Sequence, residues 1–150
     1  MSEIPFKAIA VDMDGTFLND KKDYDRELFA KVLKAAQDQG IHFIVASGNQ
    51  YMKLRKDFYP HADEVDYVAE NGAYLIVDNK DVGHTGFNAA QTQEISAYLD
   101  KFPQVHYIIC GLNRAYFLES ETEELKKSLV FTIQDTSRLI TSKKSATNRF

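Results

Sequence analysis

The chain holds one cysteine, Cys110, in 150 residues, which excludes an intrachain disulfide and any metal site built from several thiolates. Cys110 closes the apolar run 105–110 and is expected as a buried thiol, since free cysteine behaves as a small hydrophobe. Long apolar runs are lacking as well. The opening stretch MSEIPFKAIAVDMDG is interrupted by Lys7 and Asp12, so it reads as neither signal peptide nor membrane anchor, and the protein is expected to be cytoplasmic with no membrane partner. Positive charge is not in excess: 18 Lys and Arg stand against 22 Asp and Glu, for a net charge of -4. A sequence-independent grip on nucleic acid depends on basic patches, so no nucleic-acid partner is expected. His42, His61, His84 and His106 show no helical or finger-type spacing, so no zinc site is expected, and His42 reads as a core or strand-edge side chain. Internal repeats, coiled-coil heptads and extended low-complexity blocks are missing too.

What remains is the makeup of one globular domain, or of a small domain plus part of another, with 44% apolar and 27% charged residues. Residues 6–11 form a short apolar run without polar alternation, which suits a strand covered on both faces in a parallel sheet and places Asp12 at its carboxyl end. From Asp25, the spacing of Leu28, Phe29, Val32, Leu33 and Ala36 predicts an amphipathic helix that Gly40 stops. Residues 41–46 predict a second strand, ending at the turn Ser47-Gly48-Asn49. Strand, helix, strand implies a right-handed parallel unit. Tyr51, Leu54 and Phe58 mark a second helix that Pro60 ends, and residues 67–69 a third strand that exits through Glu70-Asn71-Gly72.

After Gly72 the pattern changes. Residues 73–77 follow at once, and Asp78-Asn79-Lys80 looks like a hairpin turn rather than a helical crossover. A second module is expected from there: a helix over 90–102 closed by Pro103, strands over 105–110 and 115–118, a helix over 121–129 and a strand over 130–133. Residues 136–150, rich in Ser, Thr and Lys, read as a loose tail. The expected fold class is therefore α/β, with residues 1–72 forming half of a parallel-sheet core, 73–135 part of an α/β cap and 136–150 the tail.

The most informative string is Val11-Asp12-Met13-Asp14-Gly15-Thr16. Ligands of open α/β sheets bind beyond the carboxyl ends of the strands, and a carboxylate there can attack phosphorus and form an aspartyl phosphate. Asp12 fits that nucleophile. An anionic nucleophile approaching a phosphate is repelled, so a hard cation is needed, and magnesium takes oxygen ligands such as Asp12. Asp14, one turn residue further, is placed to give a proton to the leaving oxygen and later to take one from water. Gly15 permits the sharp turn. The plainer alternative is a strand-end loop whose aspartates only cap backbone amides.

Residues 10–18, AVDMDGTFL, resemble the first motif of the haloacid dehalogenase superfamily, in the style of its Cof-type (subclass IIB) phosphatases with a Rossmannoid core. The resemblance implies that Asp12 is the nucleophile, Asp14 the general acid and base, and that Asp12 and Asp14 hold Mg2+, Asp14 through its backbone carbonyl. It also implies that Thr16, Ser47 and Gly48 bind phosphate, Ser47 matching the second motif at the end of the next core strand. Asn49 stands where Cof-type members usually carry arginine. Glu70-Asn71-Gly72-Ala73 resembles the Cof-type signature at the junction of core and cap, which puts Asn71 in the substrate region.

The family also requires a third-motif lysine and a fourth-motif Gly-Asp, and no Gly-Asp pair occurs in this sequence. Lys126, Lys127, Lys143 and Lys144 read as solvated side chains. The sequence therefore reads as a truncated Cof-like phosphatase for small phosphorylated metabolites such as sugar phosphates, with impaired turnover, or as a remnant that binds phosphate or a partner without turnover. An open first strand further implies self-association to cover the sheet edge. A phospho-accepting receiver domain is the third alternative, but its accepting aspartate follows a later strand.

Overall fold

A computed structural model of the chain describes residues 4–112 and 115–117, together with the single positions 122 and 124. Apart from positions 122 and 124, the expected helix over 121–129 lies outside the described residues, as do the strand over 130–133, the tail and all four of the lysines just named. The rest divides into two compact units, one ending at His84 and the other beginning at Thr85.

The first unit is a five-stranded α/β sheet of order β1-β2-β3-β4-β5. Its strands are β1 (Ala8–Val11), β2 (His42–Ala46), β3 (Asp66–Ala69), β4 (Tyr74–Val77) and β5 (Lys80–His84). The first three run parallel, with Val11 opposite Val45 and Ala46 opposite Val68. Asp12, Ser47 and Glu70 consequently leave three neighbouring strands at the same end. Between the parallel strands lie α1 (Arg26–Gln37) and α2 (Tyr51–Asp57). The Asp25 carboxylate caps α1 by accepting from the Leu28 N–H at 2.9 Å, the usual way an aspartate satisfies a free amide at a helix start. Gly40 follows α1 at φ +64, a left-handed turn that lets the chain reverse into β2.

The hairpin belongs to this same sheet, since β4 pairs antiparallel with β3. Its turn residues Asp78 and Asn79 both have positive φ, +49 and +58, the twist-matched two-residue turn that Asn and Asp favour. The compact unit thus continues through the hairpin, past residue 72 where the sequence pattern changes.

The sheet has one covered face. Phe43, Val45, Tyr67 and Ala69 are buried against Phe29 and Leu33 of α1 and Leu54 of α2, with Phe58 between them. Burying such a side chain is worth ~1.5–3 kcal/mol. The alternate residues point the other way, and there Ala8, Ala10 and Val77 are exposed while Ile44, Val68 and Leu75 are half-buried. The expectation that the first strand is covered on both faces is therefore not met. On α1 itself Phe29, Leu33 and Ala36 are buried, whereas Leu28 and Val32 face solvent at 57% and 43% exposure. Both departures have one cause: the apolar runs carry two faces and the described residues of this unit bury one.

The second unit contains α3 (Ala89–Leu99) and a short antiparallel pair, β6 (Ile109–Cys110) and β7 (Ala115–Tyr116). Asn88 and Gln91 cap α3 reciprocally, each side chain bonded to the other's backbone N–H at 3.0 and 2.9 Å. The helix ends at Leu99, ahead of Pro103, and the strand expected over 105–110 shrinks to its last two residues. Cys110 is exposed, which corrects its expected burial. It sits on a two-residue strand, too short to be covered on both faces.

Candidate active site

Three loops meet the carboxyl ends of β1, β2 and β3. The first begins at Asp12, whose extended backbone (φ -82, ψ 154) leads into a tight turn over Met13–Phe17. Gly15 takes φ +74 there, a conformation glycine adopts without cost. The turn closes with hydrogen bonds from Phe17 N–H to Asp12 O at 3.1 Å and from Leu18 N–H to Met13 O at 2.9 Å. Its two ends are anchored. Met13 is fully buried, and Phe17 packs among Tyr24, Phe29, Phe43 and Phe58 with ring centroids 4.9–6.0 Å apart. The apolar anchors leave Asp12, Asp14 and Thr16 facing solvent. Thr16 Oγ1 lies 3.5 Å from Asp12 Oδ2, at the outer limit of a hydrogen bond.

The Asp14 carboxylate is bridged by Lys22 Nζ at 2.6 Å. That contact is the main reason its pKa lies below the ordinary aspartate value, with lesser contributions from an Asn49 hydrogen bond and the Lys53 charge. In the second loop, Ser47 Oγ accepts from Asn49 N–H at 3.1 Å, and Gly48 is exposed.

The third loop, Glu70-Asn71-Gly72, has three consecutive positive φ values, +54, +57 and +89. Two of these belong to residues with a Cβ, for which the left-handed region is uncommon. The conformation is held by bonds to the second loop: Glu70 N–H to Asn49 O at 3.2 Å and Asn71 N–H to Ser47 O at 3.3 Å. The Glu70 carboxylate is half-buried, and burial pushes its pKa up despite a hydrogen bond from the Tyr51 backbone N–H. The Asn71 amide lies over Gly48 so closely that a Cβ on Gly48 would stand 2.7 Å from Asn71 Oδ1. Ser47, Gly48 and Asn71 are thus brought together.

A family model for haloacid dehalogenase-like hydrolases matches residues 9–149. The chain belongs to this family. Among curated relatives, a 5-amino-6-(5-phospho-D-ribitylamino)uracil phosphatase of Escherichia coli (strain K12) is 42% identical over 120 residues, 80% of this chain and 44% of the relative. A solved protein of Streptococcus mutans UA159 superposes with a TM-score of 0.82 at 34% identity, over 91% of this chain and 51% of that one. A solved sugar phosphatase of subclass IIB shares the fold at a TM-score of 0.65 and 19% identity, over 96% of this chain and 55% of that one. The chain spans about half the length of these relatives.

Three residues of the site were not singled out from the sequence. Lys22 lies in an Asn19-Asp20-Lys21-Lys22 turn with no periodic signal. Glu70 stood in the quoted string but was passed over for Asn71, and its positive φ has no signature in a glutamate. Gln50 is 5% exposed, and neither its Nε2 nor its Oε1 has a hydrogen-bond partner among the described residues. A polar residue next to a turn reads as solvated, so nothing in the string Asn49-Gln50-Tyr51 points to its burial.

Proposed function

We propose that this haloacid dehalogenase-like hydrolase acts on phosphomonoesters of small metabolites such as sugar phosphates, through an aspartyl phosphate on Asp12. The observation that carries the reading is the alignment of Asp12 and Ser47 at adjacent strand ends, one residue past Val11 and two past its partner Val45. Asp12 Oδ attacks phosphorus while the ester P–O bond breaks, and Asp14 gives its proton to the departing alkoxide. Asp14 then removes a proton from water, whose oxygen attacks phosphorus and releases Asp12 with inorganic phosphate. Ser47, Gly48 and Thr16 hold phosphate oxygens, and Asn71, over Gly48, faces the substrate.

To donate a proton, Asp14 must first hold one, and the Lys22 bridge opposes that. Lys22 is 69% exposed, and an exposed ion pair contributes only ~0–1 kcal/mol. Displacement of Lys22 as substrate enters is the step that readies the acid. The Asp12 carboxylate and the Asp14 backbone carbonyl are hard oxygen donors that suit Mg2+. When bound, the ion would neutralise charge between the carboxylate and the phosphate.

The substrate named for the Escherichia coli relative carries a phosphate on a ribityl chain, a member of the same chemical class. Among the described residues no helix is long and apolar enough to cross a membrane, and we assign the protein to the cytoplasm. β1 pairs only with β2 among the described residues, and Ala8 and Ala10 beside that edge are exposed. A second copy covering that edge would make a homo-oligomer. Light scattering of a clean monomer at moderate concentration would remove that part of the proposal.

A second reading is that the chain binds phosphate without turnover. The two are separated by phosphate release from an aryl phosphate with and without Mg2+, in the chain and in Asp12→Asn. Metal-dependent release lost in the variant supports hydrolysis. Release equal in both chains overturns it.

A further inference from the structure

At the opposite end of the same strands, three residues converge that the phosphatase reading does not use. His42 opens β2, Asp66 opens β3, and Asp78 is the first turn residue between β4 and β5. Asp66 pairs with Ile44, two residues along from His42, so His42 and Asp66 project from the same face. One ligand atom from each of His42, Asp66 and Asp78 falls within 4.8 Å of the others. We propose that this cluster is a second metal site, for a borderline divalent cation of the zinc class.

The first argument is charge. The Asp66 side chain is only 9% exposed, and among the described residues its ion-pair partner is His42, with Nδ1 2.7 Å from Oδ2. Its other oxygen accepts from the Asp78 backbone N–H at 2.9 Å, which draws the turn and its carboxylate towards the strand end. Among the described residues, lysine and arginine pair with Asp14, Asp23, Asp38, Asp57 and Asp63. None pairs with Asp66 or Asp78. Two carboxylates, that of Asp66 buried and that of Asp78 exposed, therefore come within 4.8 Å of one imidazole, and the closeness of two like charges is unfavourable unless a cation offsets it. A divalent cation supplies the missing positive charge.

Geometry is the second argument. An imidazole nitrogen and a carboxylate oxygen each about 2.0–2.2 Å from a tetrahedral zinc ion stand roughly 3.4 Å apart. The 2.7 Å contact has to open by well under 1 Å, and His42, 49% exposed, has room to swing. Asp78 is exposed and equally free to adjust. The donor set also decides the kind of metal. Nitrogen with two carboxylate oxygens suits zinc, cobalt or nickel, whereas Mg2+ prefers oxygen alone. Three protein ligands leave a fourth position for water, and the bound ion would fasten β2, β3 and the hairpin together. Histidine spacing could not have exposed such a site, because it uses one histidine and two aspartates from separate strand ends.

The test is equilibrium dialysis of the whole chain against Zn2+, with Co2+ absorption as a spectroscopic probe of nitrogen coordination. The expected result is one ion bound per chain, with affinity reduced at least ~10-fold in His42→Ala, since even an outer-sphere partner is worth that much. Asp78→Asn should weaken binding likewise while remaining folded, because asparagine tolerates positive φ and the His42–Asp66 pair is left intact. Asp12→Asn should bind as the parent does. No binding by a folded chain, or binding unchanged in both His42→Ala and Asp78→Asn, overturns the proposal.

Discussion

The two ends of the parallel strands are built on different terms. At the carboxyl end, Asp12, Ser47 and Asn71 sit on loops held mainly by backbone hydrogen bonds and by left-handed residues, with the Asp12 and Asn71 side chains turned to solvent. At the amino end, the buried Asp66 carboxylate holds both the His42 ring and the Asp78 backbone N–H. Loops held by their own backbone can leave carboxylates free for chemistry. A cluster held by its side chains becomes part of the fold, and whatever it binds acts on stability.

The largest effect should fall on the carboxyl end alone. Asp12→Asn should abolish metal-dependent phosphate release while leaving Zn2+ binding and thermal stability near those of the parent. A variant that also lost Zn2+ binding would show that the two ends are not independent.

Next in size is Gly48→Ala. Gly48 has no left-handed backbone requirement, so the added methyl acts mainly by pushing the Asn71 side chain aside. Affinity for a phosphate analogue should fall about tenfold, the equivalent of one hydrogen bond. Stability should change by no more than ~1 kcal/mol. In a double-mutant cycle, Asn71→Ala should add little to Gly48→Ala. Additive losses would mean that the two residues act separately.

Gln50→Met asks whether the buried amide serves the site or only burdens it. Removing an unsatisfied polar group for an apolar one of similar shape should stabilise the fold by ~1 kcal/mol in chemical denaturation. Destabilisation combined with weaker phosphate-analogue binding would show instead that the amide is used.

The smallest effect is that of Lys22→Met on the titration of Asp14. Its folded-state pKa is lowered, chiefly by Lys22. The stabilisation linked to it is present above the unfolded value near 3.8 and is lost as pH falls through the lower folded value. The variant should move the Asp14 titration up towards the ordinary value by NMR. An unchanged titration would assign the shift to Asn49 and Lys53.

The same contrast explains what could be read in advance. Each carboxyl-end loop is a contiguous string after an apolar run, so Asp12 and Asp14 stood out and Thr16, Ser47-Gly48 and Asn71 could be matched to family motifs, while the succession of strands and helices followed from the alternation of runs and helix spacings. The hairpin turn was legible because Asp and Asn tolerate the left-handed region. The amino-end cluster was illegible because 24 residues separate His42 from Asp66 and 12 separate Asp66 from Asp78, and each alone looks like an ordinary strand end. Burial was misread wherever a second layer was assumed. Leu28, Val32 and Ala8 are apolar by sequence and exposed in the described structure, because periodicity reports which face a residue takes and not whether anything covers it.

If the carboxyl ends of β1, β2 and β3 form a single phosphate site, backbone amide NMR of the whole chain titrated with Mg2+ and beryllium trifluoride, which mimics an aspartyl phosphate, will show shifts concentrated at residues 12–17, 47–50 and 70–72, and none in Asp12→Asn. Shifts centred on His42, Asp66 and Asp78, or none in a folded chain, would contradict it.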